Sequence, residues 1–304
     1  MDIAIVGMGA IGTYYGVRLA LAGNTVHFLA HTEYEAVKAG GLHVKSYLGN
    51  FDIDAPLVYN SIEAMPPCDM VCVCTKATTN DTIFGSLTPV VKPGGAILLM
   101  QNGFGAEERL ARLYPDVRIF AGLCFITSYR VSPGHINHDA YGKISLASLV
   151  PDAQGLADLY ALFTGAGLEA EVIGDVLPAR FRKLVWNIPY NGLTVALDCT
   201  TLELASGTAA LSSVRTLMTE VVEGAAACGV TIDPSFVDEM MGTTQNMGAY
   251  EPSMKIDYNH HRPLEVEAIY RKVIAYTADH GYRMAATSLL ADELDIIQAR
   301  YLSA

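Results

Sequence analysis

The chain has 304 residues, of which 51% are hydrophobic and 17% charged, and its formal net charge at pH 7 is −12. This composition excludes a disordered chain, and the length is sufficient for two domains. Lys and Arg do not form runs, which argues against a nucleic acid partner, although a local site for an anion is compatible with the overall charge.

The N-terminal residues are apolar but lack the basic start of a signal peptide, and Gly7 interrupts them early. No apolar run reaches the ~20 residues that a transmembrane helix needs. The six cysteines form neither a Cys-x-x-Cys pair nor a zinc-binding pattern with histidine. We therefore expect a cytoplasmic protein with reduced thiols, no membrane segment and no bound metal.

The first half of the chain alternates short apolar runs with helical patterns. Strands are predicted at residues 2–7, 25–30, 69–76, 94–103 and 118–127. The stretch between the first two strands has helical spacing and ends at Gly23, a typical helix stop. Apolar strands that alternate with helices indicate a parallel sheet covered on both faces, which is an α/β fold.

Helical patterns dominate after about residue 165, over 178–230 and 264–300. The glycine-containing stretch FTGAGLEAEVIGD suits a junction, although part of it is compatible with a last strand. We therefore predict a dinucleotide-binding domain over residues 1–168 and an all-α domain over residues 169–304 that carries substrate and catalytic groups.

The stretch IVGMGAIG places Gly7, Gly9 and Gly12 at the spacing G-x-G-x-x-G, directly after the first predicted strand and at the start of a helix. In that context the first glycine permits a tight turn, the second lets the backbone approach a pyrophosphate, and the third lets helix and strand pack closely. The helix start offers unpaired N–H groups to the phosphates. This pattern predicts a dinucleotide site; a glycine turn without a ligand is the alternative.

The end of the second predicted strand bears on which dinucleotide binds. An NAD site has an acidic residue there, and an NADP site favours an Arg for the 2′-phosphate. His31 and Thr32 occupy this place, and Glu33 follows. We predict NADP, with weaker contacts from His31, Thr32 and Lys38; in the alternative, NAD binds and Glu33 contacts its ribose.

Polar residues follow two further strands. Lys76 comes just after one of them, and Gln101, Asn102 and Gly103 come at the end of the next. Ligands of open α/β sheets bind at the carboxyl ends of the strands. We therefore expect these residues near the place where cofactor and substrate meet.

Lys183, Asn187 and Asn191 are spaced four residues apart, so a helix places them on one face. Their neighbours are mostly apolar or aromatic, which indicates a buried helix whose polar groups need partners. Pro189 removes one backbone hydrogen bond and crowds the carbonyl of Val185, so we expect a kink or an end there. The stripe indicates a polar pocket; the alternative is a Lys that reaches solvent and two amides bonded to a neighbouring helix.

A second polar group lies in the stretch PSMKIDYNHHRPLEVE, at residues 252–267. Ser253 is a candidate hydrogen-bond donor to a substrate, and one glutamate is a candidate to line the cleft opposite Lys183. The alternative for Glu265 and Glu267 is structural, because carboxylates favour the N-terminal end of a helix.

Taken in order, the segments GMGAIG, TKA, QNG, KLVWNIPYNGLTVAL and SMKIDYNHHRPLEVEAI resemble the ketopantoate reductase (2-dehydropantoate 2-reductase) family over essentially the whole chain. The resemblance implies an N-terminal Rossmann domain, a helical C-terminal domain and an active site in the cleft between them. It also implies that NADPH reduces a 2-keto acid in pantothenate synthesis.

The resemblance assigns roles to individual residues. Lys183 is implied as the catalytic acid and Glu265 as a second catalytic residue that orients Lys183 or the substrate. Substrate binding is implied for Asn187, Asn191 and Ser253. Cofactor binding is implied for Gly7, Gly9, Ala10, Ile11, Gly12, His31, Lys76 and Asn102. The chain departs from the family pattern at His31, where Arg is usual, and at Tyr270 and Arg271, where Asn-Gly is usual.

Two other functions stay open from the residues alone. One is a related NAD(P)-dependent oxidoreductase for a different 2-keto or hydroxy acid. The other is a dinucleotide sensor without turnover, which the Lys-Asn-Asn stripe argues against, because a sensor needs no proton donor. The apolar C-terminal helices are compatible with a homodimer and equally with a monomer core.

Overall fold

The computed structural model describes residues 1–302 and divides into two compact units. The first contains Met1–Gln101 and Glu107–Val176, and the second contains Asn102–Ala106 and the chain from Leu177 onward. The domain boundary between residues 168 and 169 stays a prediction.

The elements are numbered in chain order. The strands are β1 (Asp2–Val6), β2 (Thr25–Leu29), β3 (Leu42–Ser46), β4 (Phe51–Ile53), β5 (Leu57–Tyr59), β6 (Cys68–Val73), β7 (Val91–Leu99), β8 (Arg118–Ser132), β9 (His135–Ser148) and β10 (Ala170–Asp175). The α-helices are α1 (Ala10–Leu21), α2 (Tyr34–Gly40), α3 (Asn80–Ile83), α4 (Ala106–Leu113), α5 (Ala153–Gly165), α6 (Val176–Ala196), α7 (Thr201–Ser206), α8 (Thr208–Ala227), α9 (Ser235–Gln245), α10 (Ser253–Asn259), α11 (Lys272–Asp279) and α12 (Ala285–Leu302). Short 3-10 turns cover His31–Glu33, Ala77–Thr79 and Phe84–Ser86, and a π-helical turn covers Glu267–Arg271.

The sheet of the first unit has the order β4-β3-β9-β8-β7-β6-β1-β2-β5, and β10 pairs with β9. Its part from β5 to β8 is parallel and, counted in chain order, has the 3-2-1-4-5-6 arrangement of a Rossmann fold. Ile3 to Val6 in β1 are fully buried, as expected of a central strand covered on both faces. The predicted α/β fold with a Rossmann domain is confirmed.

The sheet is mixed rather than wholly parallel. β8 continues to Ser132 and forms a long antiparallel hairpin with β9, which in turn pairs with β3 in parallel register. The sequence of β9, HINHDAYGKISLAS, is rich in polar residues and has no apolar run that predicts a strand. Its pairing partners on both sides, and not its composition, make it a strand.

The second unit contains helices and turns, without a strand between residues 177 and 302. Its hydrophobic core includes the apolar side of α6, where Phe181, Leu184, Val185 and Ile188 are at most 1% exposed. α6 continues past Pro189 to Ala196, so the proline does not end the helix. Among the described residues, none of the helices is long and apolar enough to cross a lipid bilayer.

Candidate active site

The glycine turn lies between β1 and α1. β1 is the strand at which the order of the sheet reverses, because β2 and β5 lie on one side of it and β6, β7 and β8 on the other. Gly7 has a φ of +106°, and a Cβ atom there would lie 2.6 Å from the backbone nitrogen of Thr75. A Cβ atom on Gly12 would lie 2.0 Å from the carbonyl oxygen of Gly7. The first and third glycines are therefore required by the protein's own packing.

Gly9 differs from both, because a Cβ atom on it would meet no atom of the described residues within 4 Å. Its φ of −73° is open to other residues, so the protein's own packing gives no reason for a glycine. The helix it precedes has no side-chain cap and no acidic residue in its first turn, which includes Ala10, Ile11 and Gly12. Open space over uncapped N–H groups fits the pyrophosphate of a dinucleotide.

The end of β2 leads to Glu33, the acidic residue on which the NAD alternative depends. Glu33 is 8% exposed, its Oε1 accepts a hydrogen bond from Nη1 of Arg130, and its Oε2 accepts one from the N–H of Gly134 at 3.3 Å. Each carboxylate oxygen of Glu33 thus already accepts one hydrogen bond within the protein, and the contact of Glu33 with an NAD ribose stays a prediction. His31 is exposed with a φ of +38°, and Thr32 beside it is also exposed.

A hydrogen-bond network joins the ends of β6 and β7. The buried Gln101 donates from Nε2 to Oγ1 of Thr75 at 3.0 Å and to Oδ1 of Asn80 at 2.8 Å. Lys76 is exposed and follows Thr75 directly in the sequence, and its carbonyl accepts a hydrogen bond from the N–H of Thr79 at 3.0 Å. Gln101 therefore fixes the loop that presents Lys76.

Asn102 lies in the short segment that belongs to the second unit. Two residues on, the N–H of Phe104 donates to the carbonyl of Ala268 at 2.9 Å. Gly103 has a φ of +108°, and a Cβ atom there would lie 2.8 Å from Cβ of Ala268. Only glycine fits this approach, so the segment with Asn102 packs on the turn that follows Glu265.

The polar stripe lies on one uninterrupted helix. α6 holds Lys183, Asn187 and Asn191 on successive turns, so the stripe is about 12 Å long. Lys183 is half-buried, and the two asparagines are 4% and 1% exposed. The Nδ2 atom of Asn187 is buried and has no hydrogen-bond partner among residues 1–302. A buried amide donor without a partner is costly and is a candidate ligand group.

Asn191 links the stripe to α10. Its Oδ1 accepts a hydrogen bond from the N–H of Met254 at 3.1 Å, so the amide oxygen holds the first turn of that helix. Ser253, the first residue of α10, is thereby brought beside the end of the stripe. A substrate contact by Asn191 would use its Nδ2 group.

Glu265 is 2% exposed, and its carbonyl accepts from the N–H of Ile269 at 2.9 Å, so it stands at the start of a helical segment that continues as the π-helical turn Glu267–Arg271 and α11. Within this turn the hydroxyl of Tyr270 donates to the carbonyl of Ile188 in α6 at 2.9 Å. Burial raises the pKa of Tyr270 well above its usual range, so the hydroxyl stays protonated and can donate. The turn after Glu265 is therefore held against the middle of the stripe.

The sequence gives little sign of two of these contacts. Tyr270 bonds to a residue 82 positions away, and Arg130 bonds to one 97 positions away. The departure of Tyr270 from the family pattern is the one available signal; Arg130 offers none. Among residues 1–302, no group of His, Cys, Asp and Glu is arranged to hold a metal ion.

Comparisons with known proteins agree over nearly the whole chain. Residues 3–151 match the family described as ketopantoate reductase PanE/ApbA, and residues 175–298 match its C-terminal family. A 2-dehydropantoate 2-reductase from Nostoc sp. is 41% identical over 98% of this chain and 95% of its own length.

Solved structures give the same result. The crystal structure of 2-dehydropantoate 2-reductase from Geobacter metallireducens has a TM-score of 0.94 and 39% identity, covering 97% of this chain and 99% of that one. The enzyme of the same name from Methylococcus capsulatus has a TM-score of 0.90 and 29% identity, covering 99% and 98%.

Proposed function

This chain belongs to the ketopantoate reductase PanE/ApbA family, and on that premise we propose that it reduces 2-dehydropantoate to pantoate with NADPH. It is an NAD(P)-dependent oxidoreductase of the 2-dehydropantoate 2-reductase type. The preference for NADPH over NADH is the finer part of the proposal. The observation that carries the chemistry is the continuous stripe Lys183, Asn187 and Asn191 on α6.

The chain's own residues divide the work. Gly7, Gly9 and Gly12 form the turn that holds the pyrophosphate, while the N–H groups of Ala10 and Ile11 face it at the helix start. His31, Lys76 and Asn102 bind further parts of the cofactor. When bound, the reduced nicotinamide supplies a hydride to the ketone carbon of the substrate.

The second unit handles the proton and the substrate. As the ketone oxygen gains negative charge, the Lys183 ammonium stabilises it and donates a proton from Nζ. The buried Nδ2 of Asn187, with Asn191 and Ser253, binds the polar groups of the substrate. Glu265 orients Lys183 or the substrate.

The decisive experiment follows NADPH consumption at 340 nm with 2-dehydropantoate and a panel of other 2-keto acids. We expect 2-dehydropantoate to have the highest kcat/KM. Lys183→Ala should lower kcat by roughly 10²–10⁴-fold, the range of general acid catalysis. Arg182→Ala, at the exposed neighbouring position, is the matched control and should leave kcat unchanged.

Three results would contradict the proposal. A loss of less than about tenfold in Lys183→Ala would remove Lys183 from the acid role. A better turnover with another keto acid would favour a related oxidoreductase. Binding of NADPH without oxidation by any keto acid would favour the sensor.

The formation of a homodimer is a separate prediction. Light scattering coupled to size exclusion measures the mass in solution directly.

A further inference from the structure

An ion pair lies at the end of β2, where a Rossmann fold places the adenosine ribose of its dinucleotide. Glu33 is buried and binds Arg130 through one carboxylate oxygen and the Gly134 N–H through the other. The Arg130 side chain, by contrast, is 45% exposed. One end of the guanidinium is therefore anchored on Glu33, and much of the rest faces solvent.

The charge balance at this place matters for cofactor choice. In NAD sites a free carboxylate accepts hydrogen bonds from the ribose 2′-hydroxyl and repels a 2′-phosphate, whereas NADP sites supply an Arg. Here the carboxylate of Glu33 is neutralised by a cation from β8, 97 residues along the chain. The pair of Glu33 and Arg130 is neutral overall, and the guanidinium of Arg130 is its exposed part.

Arg130 is better held than the other cation near this strand end. Lys38 is exposed, and its Nζ contacts the hydroxyl of Tyr34, at 3.1 Å, and the ring of the same residue. A guanidinium has five N–H donors in a rigid plane, so one end can bind Glu33 while others bind phosphate oxygens in a bidentate manner. An anchored guanidinium also loses less freedom when the ligand binds.

We propose that Arg130 binds the 2′-phosphate of NADPH and determines the preference for NADPH over NADH, with Glu33 as the positioning residue that holds it. Arg130 thus takes the role that the family resemblance gives to position 31, where this chain has an exposed His31. The inference rests on the proposed function only in requiring that the chain binds a nicotinamide dinucleotide.

The test measures dissociation constants by isothermal titration calorimetry at fixed ionic strength, with NADPH, NADH, 2′,5′-ADP and 5′-AMP. Arg130→Gln should weaken NADPH and 2′,5′-ADP by roughly 10- to 100-fold, as expected for loss of a charge-assisted contact. NADH and 5′-AMP should change by less than about threefold, since neither carries a 2′-phosphate. Arg118→Gln is the matched control, because Arg118 is on the same strand, 51% exposed and near Asp152 at 3.7 Å.

Removing Arg130 alone leaves the Glu33 carboxylate buried without its cation, which can unfold the protein. The double variant Glu33→Gln/Arg130→Gln removes both charges and keeps an amide for the Gly134 N–H, and it should show the same selective loss. Arg130→Lys should recover part of the affinity for NADPH. Equal weakening of NADPH and NADH, or no change in either, in a variant with wild-type thermal stability would overturn the inference.

The readout is separate from that of the proposed function. If the protein binds NADPH through Arg130 but does not reduce 2-dehydropantoate, this inference is right and the proposed substrate is wrong. If the protein reduces 2-dehydropantoate and Arg130→Gln binds NADPH with unchanged affinity, the proposed function is right and this inference is wrong.

Discussion

The glycine turn allows ligand binding to be separated from protein packing with two single substitutions. At Gly9 an added Cβ atom meets no atom of residues 1–302 within 4 Å, and the backbone conformation suits alanine. Gly9→Ala should therefore leave the free energy of unfolding unchanged or raise it by about 0.4–1 kcal/mol, because alanine restricts the unfolded chain. At Gly12 the Cβ atom would lie 2.0 Å from the Gly7 carbonyl oxygen, so the backbone has to move. Gly12→Ala should cost about 1–3 kcal/mol or more.

Gly9→Ala, which should not destabilise the fold, should nevertheless weaken the binding of NADPH. In Gly9→Ala the new methyl group occupies the space that the pyrophosphate needs, so the dissociation constant for NADPH should rise at least about tenfold in a fully folded protein. Urea unfolding measures the free energy of unfolding, and calorimetric titration measures the dissociation constant for NADPH. Unaltered NADPH affinity in Gly9→Ala would refute a pyrophosphate at this turn. A clear loss of stability would refute the open space above it.

Three further predictions concern other parts of the molecule. Asn187→Leu removes a buried donor that has no partner in the described part of the chain, so the free energy of unfolding should rise by as much as about 1–3 kcal/mol while kcat/KM falls. A lower free energy of unfolding would show that the amide stabilises the fold. Tyr270→Phe loses one buried hydrogen bond to α6, so urea unfolding should show a free energy of unfolding lower by about 0.5–1.5 kcal/mol. We also expect a higher KM, and unchanged kinetics would show that Tyr270 contributes only to packing. Lys92 donates hydrogen bonds to Asp2 and Asp69 and lowers the pKa of both carboxyls from 3.8. The contribution of these two carboxylates to the stability of the folded protein is therefore present above pH 3.8 and is lost as the pH falls through the lowered pKa values. Lys92→Met should accordingly lower the melting temperature at pH 7, and the difference from wild type should shrink below about pH 4; a constant difference would contradict the linkage.

Much of the first unit could be predicted from sequence because its signals are local. Buried parallel strands such as β1 and β6 are continuous apolar runs, and the spacing of Gly7, Gly9 and Gly12 identifies the turn after β1 without reference to any other part of the chain. The stripe on α6 is equally local, since four-residue spacing fixes which side chains share a face.

The assembly of the candidate site could not be predicted in the same way. Asn102 follows a Rossmann strand, yet its segment packs with the C-terminal helices, because Gly103 approaches Ala268 too closely for any other residue. Glu33 looks like the acid of an NAD site, yet its carboxylate binds Arg130 from the end of a strand whose length is set by pairing with β9.

The sequence by itself determined the glycine turn, the central strands of the Rossmann domain and the polar face of one helix, because each depends on residues a few positions apart. The tertiary structure decided which carboxylate pairs with Arg130, which amide of the stripe has no partner among the described residues, and which turn packs against α6. These outcomes depend on hydrogen bonds and close contacts between residues far apart in the chain, and no local pattern specifies such partners.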